Sequence, residues 1–305
     1  MRCSLFRAVV GVVLLTFSLS SNARRDCDSD HEDVEDFSKY IIQVTDYYES
    51  PPRVAVSSLP QTQQDLYKPT GELICKGAPG SAFDHQVWGY TAQLTVKNNL
   101  ITTSGHAFYD QDTCQLKSRP QDCSFVIKTH GAVKSIPLAD KVDLGLHCPE
   151  SIATEDDWAV MKLSMAVDDI QPYQVDSIKA ASLKNGDDVV TVAHSVDFQP
   201  PAKKGLGPLH YGECKILKTY GDGSTASVST ACGCGYGCSG GSLLTAAANP
   251  ALLGVEVQTF ESPADSDKAI KSGTPNVVHW QEDGAGTYYV TIGGKFLSAI
   301  RQGSL

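Results

Sequence analysis

From about Leu73 onward, apolar residues recur in short stretches broken by Gly, Asn, Asp and Pro. Tyr90, Ala92, Leu94 and Val96 alternate with polar neighbours, the period-two signature of a half-buried strand. Residues 100–103, 158–163, 189–192, 226–229, 252–257 and 287–292 read as further short strands. Asn98-Asn99 and Asn185-Gly186 are predicted turns. Helical spacing is scarce, and its best instance is 295–302, opened by Gly293-Gly294. Many short strands with little helix predict an all-β barrel or sandwich. No internal repeat is visible.

The beginning of the chain follows another pattern. Arg2 and Arg7 precede an apolar run from Ala8 to Leu19, and Ser21-Asn22-Ala23 offers small residues at a cleavage site. Residues 1–23 are expected to be a secretory signal peptide, cut after Ala23. An apolar run of 12 residues is too short to span a bilayer. Residues 24–72 are expected to be an acidic leader or pro-segment. Asp26 to Asp36 is dense in carboxylates, and Pro51-Pro52, Pro60 and a polar Gln/Thr run follow. Residues 73–305 are left for one folded domain.

Composition narrows the function classes. Hydrophobic residues make up 41% of the 305, enough to bury a core. A net charge of −10 argues against nucleic-acid binding, which needs a surplus of Lys and Arg to neutralise phosphate. Ten cysteines suit an oxidising compartment. Loss of Cys3 with the signal leaves nine, so one at least is a free thiol or pairs between chains.

The strongest local feature is Gly237-Cys238-Ser239-Gly240-Gly241. Flanking glycines leave the Ser239 hydroxyl unobstructed and let backbone N–H groups converge on one point. Attack on a carbonyl, and capture of the oxyanion that forms, require both. A serine also needs a base. In Leu100-Ile101-Thr102-Thr103-Ser104-Gly105-His106-Ala107, a strand runs into a turn that presents His106. In Asp156-Asp157-Trp158-Ala159-Val160, an acid directly precedes a strand, where it can be shielded and can orient an imidazole. Each feature alone is common. The order His, Asp, Ser with separations of 51 and 82 residues is much rarer.

These three segments resemble those of the chymotrypsin-like (trypsin-like) serine peptidases, whose motifs read Thr-Ala-Ala-His, Asp-Ile-Ala-Leu-Leu-Lys-Leu and Gly-Asp-Ser-Gly-Gly-Pro. Asp157-Trp158-Ala159 and Gly212-Glu213-Cys214-Lys215-Ile216 look most like the secreted bacterial and glutamyl-endopeptidase types. The resemblance spans about residues 73–303. It implies two six-stranded antiparallel β-barrels with a C-terminal helix, and a secreted serine endopeptidase. His106 is then the general base, Asp157 its orienting acid (with Asp156 as competitor), and Ser239 the nucleophile. The N–H groups of Gly237 and Ser239 form the oxyanion hole. Gly233, Glu256 and Val257 line the substrate pocket. By the same resemblance Cys214 pairs with Cys232. Cys114 with Cys123 would close a plausible loop on the His106 side.

The chain also departs from the pattern. Cys238 replaces the Asp that pairs with a newly cut N-terminus in trypsin-like zymogens, so activation by that route is not expected. Ser242 stands where Pro is usual, and Ala107 where Cys is usual. Gly233 in place of Asp removes a simple argument for Arg or Lys selectivity. Glu256 in place of His disfavours a glutamate-selecting pocket, and an outward-facing Glu256 is expected. Cys238 is open to three readings: a small filler, a disulfide partner or a reactive thiol. No metal or other cofactor is expected, because Cys232, Cys234 and Cys238 lack a neighbouring His. The expected partner is a protein or peptide substrate, without nucleic acid or a membrane span, and the chain is expected to be monomeric and extracellular or periplasmic. Two other readings stay open. One is an inactive homologue used for binding. The other is an α/β-hydrolase-type esterase using Asp265 or Asp267 with His279, since the serine motif also satisfies Gly-x-Ser-x-Gly.

Overall fold

The computed structural model describes residues 48–49, 53–111, 113–129, 132–146, 154–195, 208–221, 227–230, 232, 237–260, 278–279 and 286–304. The expected signal peptide, the acidic run 26–36, Gly233, Cys234, Asp265 and Asp267 lie outside them.

Six strands form the first barrel: β3 (Thr70–Lys76), β4 (Val87–Thr95), β5 (Lys97–Thr103), β6 (Cys123–Lys128), β7 (Val133–Leu144) and β8 (Ala159–Leu163). They close antiparallel in the order β3-β4-β5-β8-β7-β6. Alternation along each strand sends one face inward, where Leu73, Leu94, Ile101, Phe125 and Met161 are almost fully buried. The β4–β5 turn falls at Val96, which takes φ 62°, and not at Asn98-Asn99 as expected. Both asparagines belong to β5, where the Asn98 side chain reaches Asp168 at 3.1 Å. The expected Asn185-Gly186 turn is present, with Gly186 at φ 85°.

The second barrel comprises β9 (Asp188–His194), β10 (Leu209–Tyr220), β11 (Ser227–Thr230), β12 (Ser242–Thr245), β13 (Leu252–Phe260) and β15 (Gly286–Thr291). Their order is β11-β15-β13-β12-β9-β10, and a β10–β11 pairing closes the ring. The expected pair of six-stranded barrels is therefore observed. A short strand β2 (Val54–Ala55) pairs antiparallel with the first part of β10, and β1 (Tyr48–Glu49) pairs in parallel with β14 (Val278–His279). Between β2 and β3, helix α1 (Gln61–Tyr67) follows a 3-10 turn, and Val56 and Tyr67 join the core. The boundary drawn at Leu73 thus falls inside β3, and folded structure already begins near Arg53. Residues 51–64 are rich in Pro and Gln and carry few apolar anchors, so sequence pattern did not reveal them.

Helix α2 (Ser177–Ala181) is opened by Asp176, whose side chain accepts the Lys179 N–H at 2.8 Å. Helix α3 (Gly294–Gly303) buries Phe296, Ala299 and Ile300. Phe296 stacks on Trp158 with ring centroids 4.9 Å apart and planes 9° from parallel. The C-terminal helix thereby holds the residue next to Asp157. No helix among the described residues is long and apolar enough to cross a membrane.

Cys214 is bonded to Cys232, as expected. Cys123 is bonded to Cys75 and not to Cys114. The two face each other in the β3–β6 ladder, so the bridge lies within the barrel wall. Cys114 takes φ 55° and sits in the loop after His106; it and Cys238 are also disulfide-bonded. Cys238 is therefore not the odd thiol. The Cys75–Cys123 bridge closes a 48-residue separation, for which chain entropy gives about 4 kcal/mol of stabilisation. Urea unfolding of the Cys75→Ser/Cys123→Ser variant is expected to show that loss with an otherwise native fold. An unchanged midpoint would remove the stabilising role.

Candidate active site

Where β5 ends, a 3-10 turn at Gly105–Ala107 projects His106 toward Asp157. Asp157 is fully buried, and the His106 side chain is 16% exposed. One carboxylate oxygen, Oδ1, accepts the backbone N–H of His106 at 2.7 Å. The other, Oδ2, lies 2.7 Å from His106 Nδ1. The imidazole is thus gripped at both ends of the residue, with Nε2 left to face other partners. Asp156 lies in the preceding 3-10 turn, where its carbonyl accepts the Trp158 N–H at 2.9 Å. Asp157 and not Asp156 is the acid brought to His106.

Gln111 Nε2 donates to Asp157 Oδ2 at 2.7 Å. Gln111 was not legible from sequence, because nothing distinguishes one glutamine in a polar loop. It fixes the rotation of a carboxylate that must stay aligned with the imidazole. Tyr90 packs edge-on against His106 with ring centroids 5.7 Å apart. Its hydroxyl accepts from Lys117 Nζ at 2.9 Å. Burial pushes the Lys117 ammonium below its ordinary value, and the charges of Asp110 and Asp157 partly offset this.

Ser239 sits on the turn that leads into β12 of the second barrel and is partly exposed. Thr91 of β4 supports this turn. Its N–H donates to the Ser239 carbonyl at 2.8 Å, and its hydroxyl donates to the Gly237 carbonyl at 2.8 Å while accepting the His194 N–H at 2.9 Å. Gly240 has φ 85°, and a Cβ there would stand 2.0 Å from both Thr103 Oγ1 and the Thr91 carbonyl. Only glycine allows the serine turn to lie this close to Thr91 of β4 and to Thr103 at the end of β5. Among the described residues, the N–H groups of Gly237 and Ser239 donate to no backbone carbonyl. Likewise, no hydrogen bond joins Ser239 Oγ to His106 among them. Unliganded sites often show such bonds long or absent.

Glu256 and Val257 are buried, at 2% and 3% exposure, so Glu256 does not face solvent as expected. Val257 belongs to the apolar core. Glu256 clamps the serine turn through its backbone: Gly240 N donates to its carbonyl at 2.7 Å, and its N–H donates to the Gly241 carbonyl at 2.8 Å. Across the β13–β15 register stands Tyr289, whose phenol is pushed well up, first by burial and then by the Glu256 charge.

Near this end of the second barrel, His210 is fully buried. Burial, with Arg53 and His194 adding positive charge, lowers its pKa well below 6.5. The folded chain therefore refuses a proton that the unfolded chain accepts once the pH falls below about 6.5. Stability from this group is full above that value and declines below it, by about 1.4 kcal/mol per pH unit at the limiting slope. A His210→Gln variant is expected to lose less stability than wild type between pH 7 and pH 5, by chemical denaturation. Parallel slopes would contradict this.

No protein-family model matches the sequence, and no curated protein matches it. Solved structures do match in fold. A Glu endopeptidase in complex with MPD superposes with TM-score 0.57 at 12% identity, covering 84% of this chain and 97% of its own. The protease Anisep from Arthrobacter nicotinovorans gives TM-score 0.50 at 12% identity, covering 77% and 95%. A scabies mite inactivated protease paralogue gives TM-score 0.52 at 14% identity, covering 78% and 95%. With Ser239 followed by strand β12 and not by a helix, the α/β-hydrolase alternative is overturned. The fold is the two-barrel fold of the trypsin-like serine peptidases.

Proposed function

We propose that the chain is a secreted serine endopeptidase that cleaves peptide bonds through an acyl-enzyme. The observation that carries this reading is the buried Asp157 holding His106 by both its backbone N–H and Nδ1, with Gly240, the residue after Ser239, packed against Thr103 at the end of the strand that leads to His106. His106 Nε2 takes the Ser239 proton as the hydroxyl attacks the carbonyl, and the same nitrogen then protonates the leaving amine. Water repeats the sequence to release the acyl group. The N–H groups of Gly237 and Ser239 hold the oxyanion; one such donor is typically worth about 2.7–4 kcal/mol in the transition state. Asp157 keeps the proton on Nδ1 and stabilises the cation that forms. Secretion is supported by the N-terminal pattern and by the disulfides Cys75–Cys123 and Cys214–Cys232. The substrate is a protein or peptide, and the enzyme acts as a monomer without cofactor.

A second reading, an inactive relative that acts by binding, is favoured by the departures from the peptidase motif at Cys238 and Ser242. Incubation with a peptide library, followed by mass spectrometry, separates the two. Cleavage with a consistent preference supports the enzyme, and an intact library supports the binding protein.

A further inference from the structure

Three neighbouring strands of the first barrel carry a row of buried polar side chains. Thr70 of β3, Gln93 of β4 and Thr102 of β5 stand opposite one another in the two ladders. Along β4, Tyr90, Ala92 and Leu94 enter the barrel core, so Thr91, Gln93 and Thr95 belong to its other face. That face meets the second barrel. Thr91 supports the serine turn, and Ser242 of β12 donates to Gln93 Oε1 at 3.0 Å. Gln93, Thr95, Thr102 and Ser242 are all fully buried.

A hydroxyl has one proton to give, and this sets the direction of the chain. Ser242 gives its proton to Gln93, so it accepts from Thr70 Oγ1 at 3.1 Å, and Thr70 in turn accepts from the Tyr173 hydroxyl at 3.0 Å. Gln93 Nε2 donates to Thr102 Oγ1 at 2.6 Å. Thr95 donates to the Gln93 carbonyl at 3.2 Å, so it accepts from Thr102 at 2.8 Å. Each serine and threonine hydroxyl in the chain thus donates once and accepts once. A buried network satisfied in this way resists displacement, because moving one member leaves another without a partner.

The two arms of the chain end beside the reacting groups. Ser242 is three residues after Ser239, and Thr102 is four residues before His106. Thr102 also stands opposite Val160 in the β5–β8 ladder, three residues after Asp157. The serine belongs to one barrel and the His106–Asp157 pair to the other, so their approach depends on how the barrels are joined. We propose that Gln93 is a positioning residue for these groups: by holding Ser242 on one side and Thr102 on the other, it sets the approach of the Ser239 turn to His106. The proline usual at position 242 has no hydroxyl, so the link belongs to this chain's own departure from the motif. The inference rests on Ser239 being the nucleophile and His106 its base.

Six full-length proteins test it: wild type, Gln93→Met, Ser242→Ala, Thr102→Val, the double variant Ser242→Ala/Thr102→Val, and Thr70→Val. The readouts are the rate of fluorophosphonate labelling, kcat and KM separately, and the thermal midpoint. Gln93→Met, Ser242→Ala and Thr102→Val are each expected to slow labelling and lower kcat by about tenfold with KM little changed, part of the roughly 100-fold that a misplacement of about 1 Å costs. The links act in series, so the double variant is expected to lose about tenfold as well, where independent effects would multiply to about 100-fold. Thr70→Val cuts the chain beyond Ser242, on the side away from Gln93, and is expected to lower the midpoint while leaving kcat near wild type. If Gln93→Met does not fold, the double variant decides: coupled losses support the proposal, and multiplied losses overturn it. Wild-type labelling by Ser242→Ala and Thr102→Val overturns it. So does a Thr70→Val variant whose kcat falls as far as theirs, since the network would then act through stability alone. A folded wild type that the probe does not label overturns the enzymatic reading itself, and the proposal with it.

Discussion

Ser239→Ala is expected to cut peptide hydrolysis by about 10⁶-fold while leaving substrate binding and the thermal midpoint near wild type. The loss is large because the hydroxyl supplies the bond to the acyl group, and nothing else on the turn can replace it. Cys238 is the nearest alternative nucleophile, but it is buried and disulfide-bonded. What would remain is the catalysis supplied by binding and by the two backbone donors, typically about 10³–10⁴ over water. Fold effects are expected to be small because Ser239 is partly exposed and its backbone bond to Thr91 does not involve the side chain. The comparison is made with initial rates on a peptide substrate and with thermal unfolding in parallel. Wild-type-like turnover would remove Ser239 from the mechanism.

Asp157→Asn is expected to lower kcat by about 10⁴-fold with the geometry preserved. The amide keeps the size of the carboxylate but can no longer accept at every position. Oδ1 now takes the His106 N–H, and Oδ2 takes both His106 Nδ1 and Gln111 Nε2. An amide oxygen at the Oδ1 position would put an NH₂ group against two donors. Relief would come from moving the imidazole proton to Nε2, where it can no longer accept from serine. Loss of kcat should therefore exceed any change in KM. If the activity of Asp157→Asn were recovered fully at some other pH, the tautomer argument would fail.

Much of this arrangement was visible in the chain before the fold was known. His106 and Asp157 stand at strand ends, where alternating apolar residues announce both the strand and its stop, and Ser239 is marked by glycines that have a steric purpose. The strands recognised from alternation, such as 90–96 and 252–257, correspond to β4 and β13. What escaped was set by tertiary contact. Gln111 acquires meaning only when its loop folds over Asp157. Strand β2 lies in a stretch without apolar periodicity and is ordered by pairing with β10, more than 150 residues away in sequence. Glu256 looked like an outward residue because a charged side chain on a strand usually faces water; here a barrel with buried polar groups accepts it. Cys123 found Cys75 because barrel closure puts β3 against β6, a pairing no local loop argument contains.

The central claim is that Ser239 is an activated nucleophile, and a fluorophosphonate reads this directly, since it bonds only to a serine whose proton a base removes. The purified protein should be incubated with the probe, digested, and the adduct located by mass spectrometry. A single phosphonyl group on Ser239, lost in His106→Ala, is the result expected. An unmodified Ser239 in a folded protein, or a modification unaffected by His106→Ala, would contradict it.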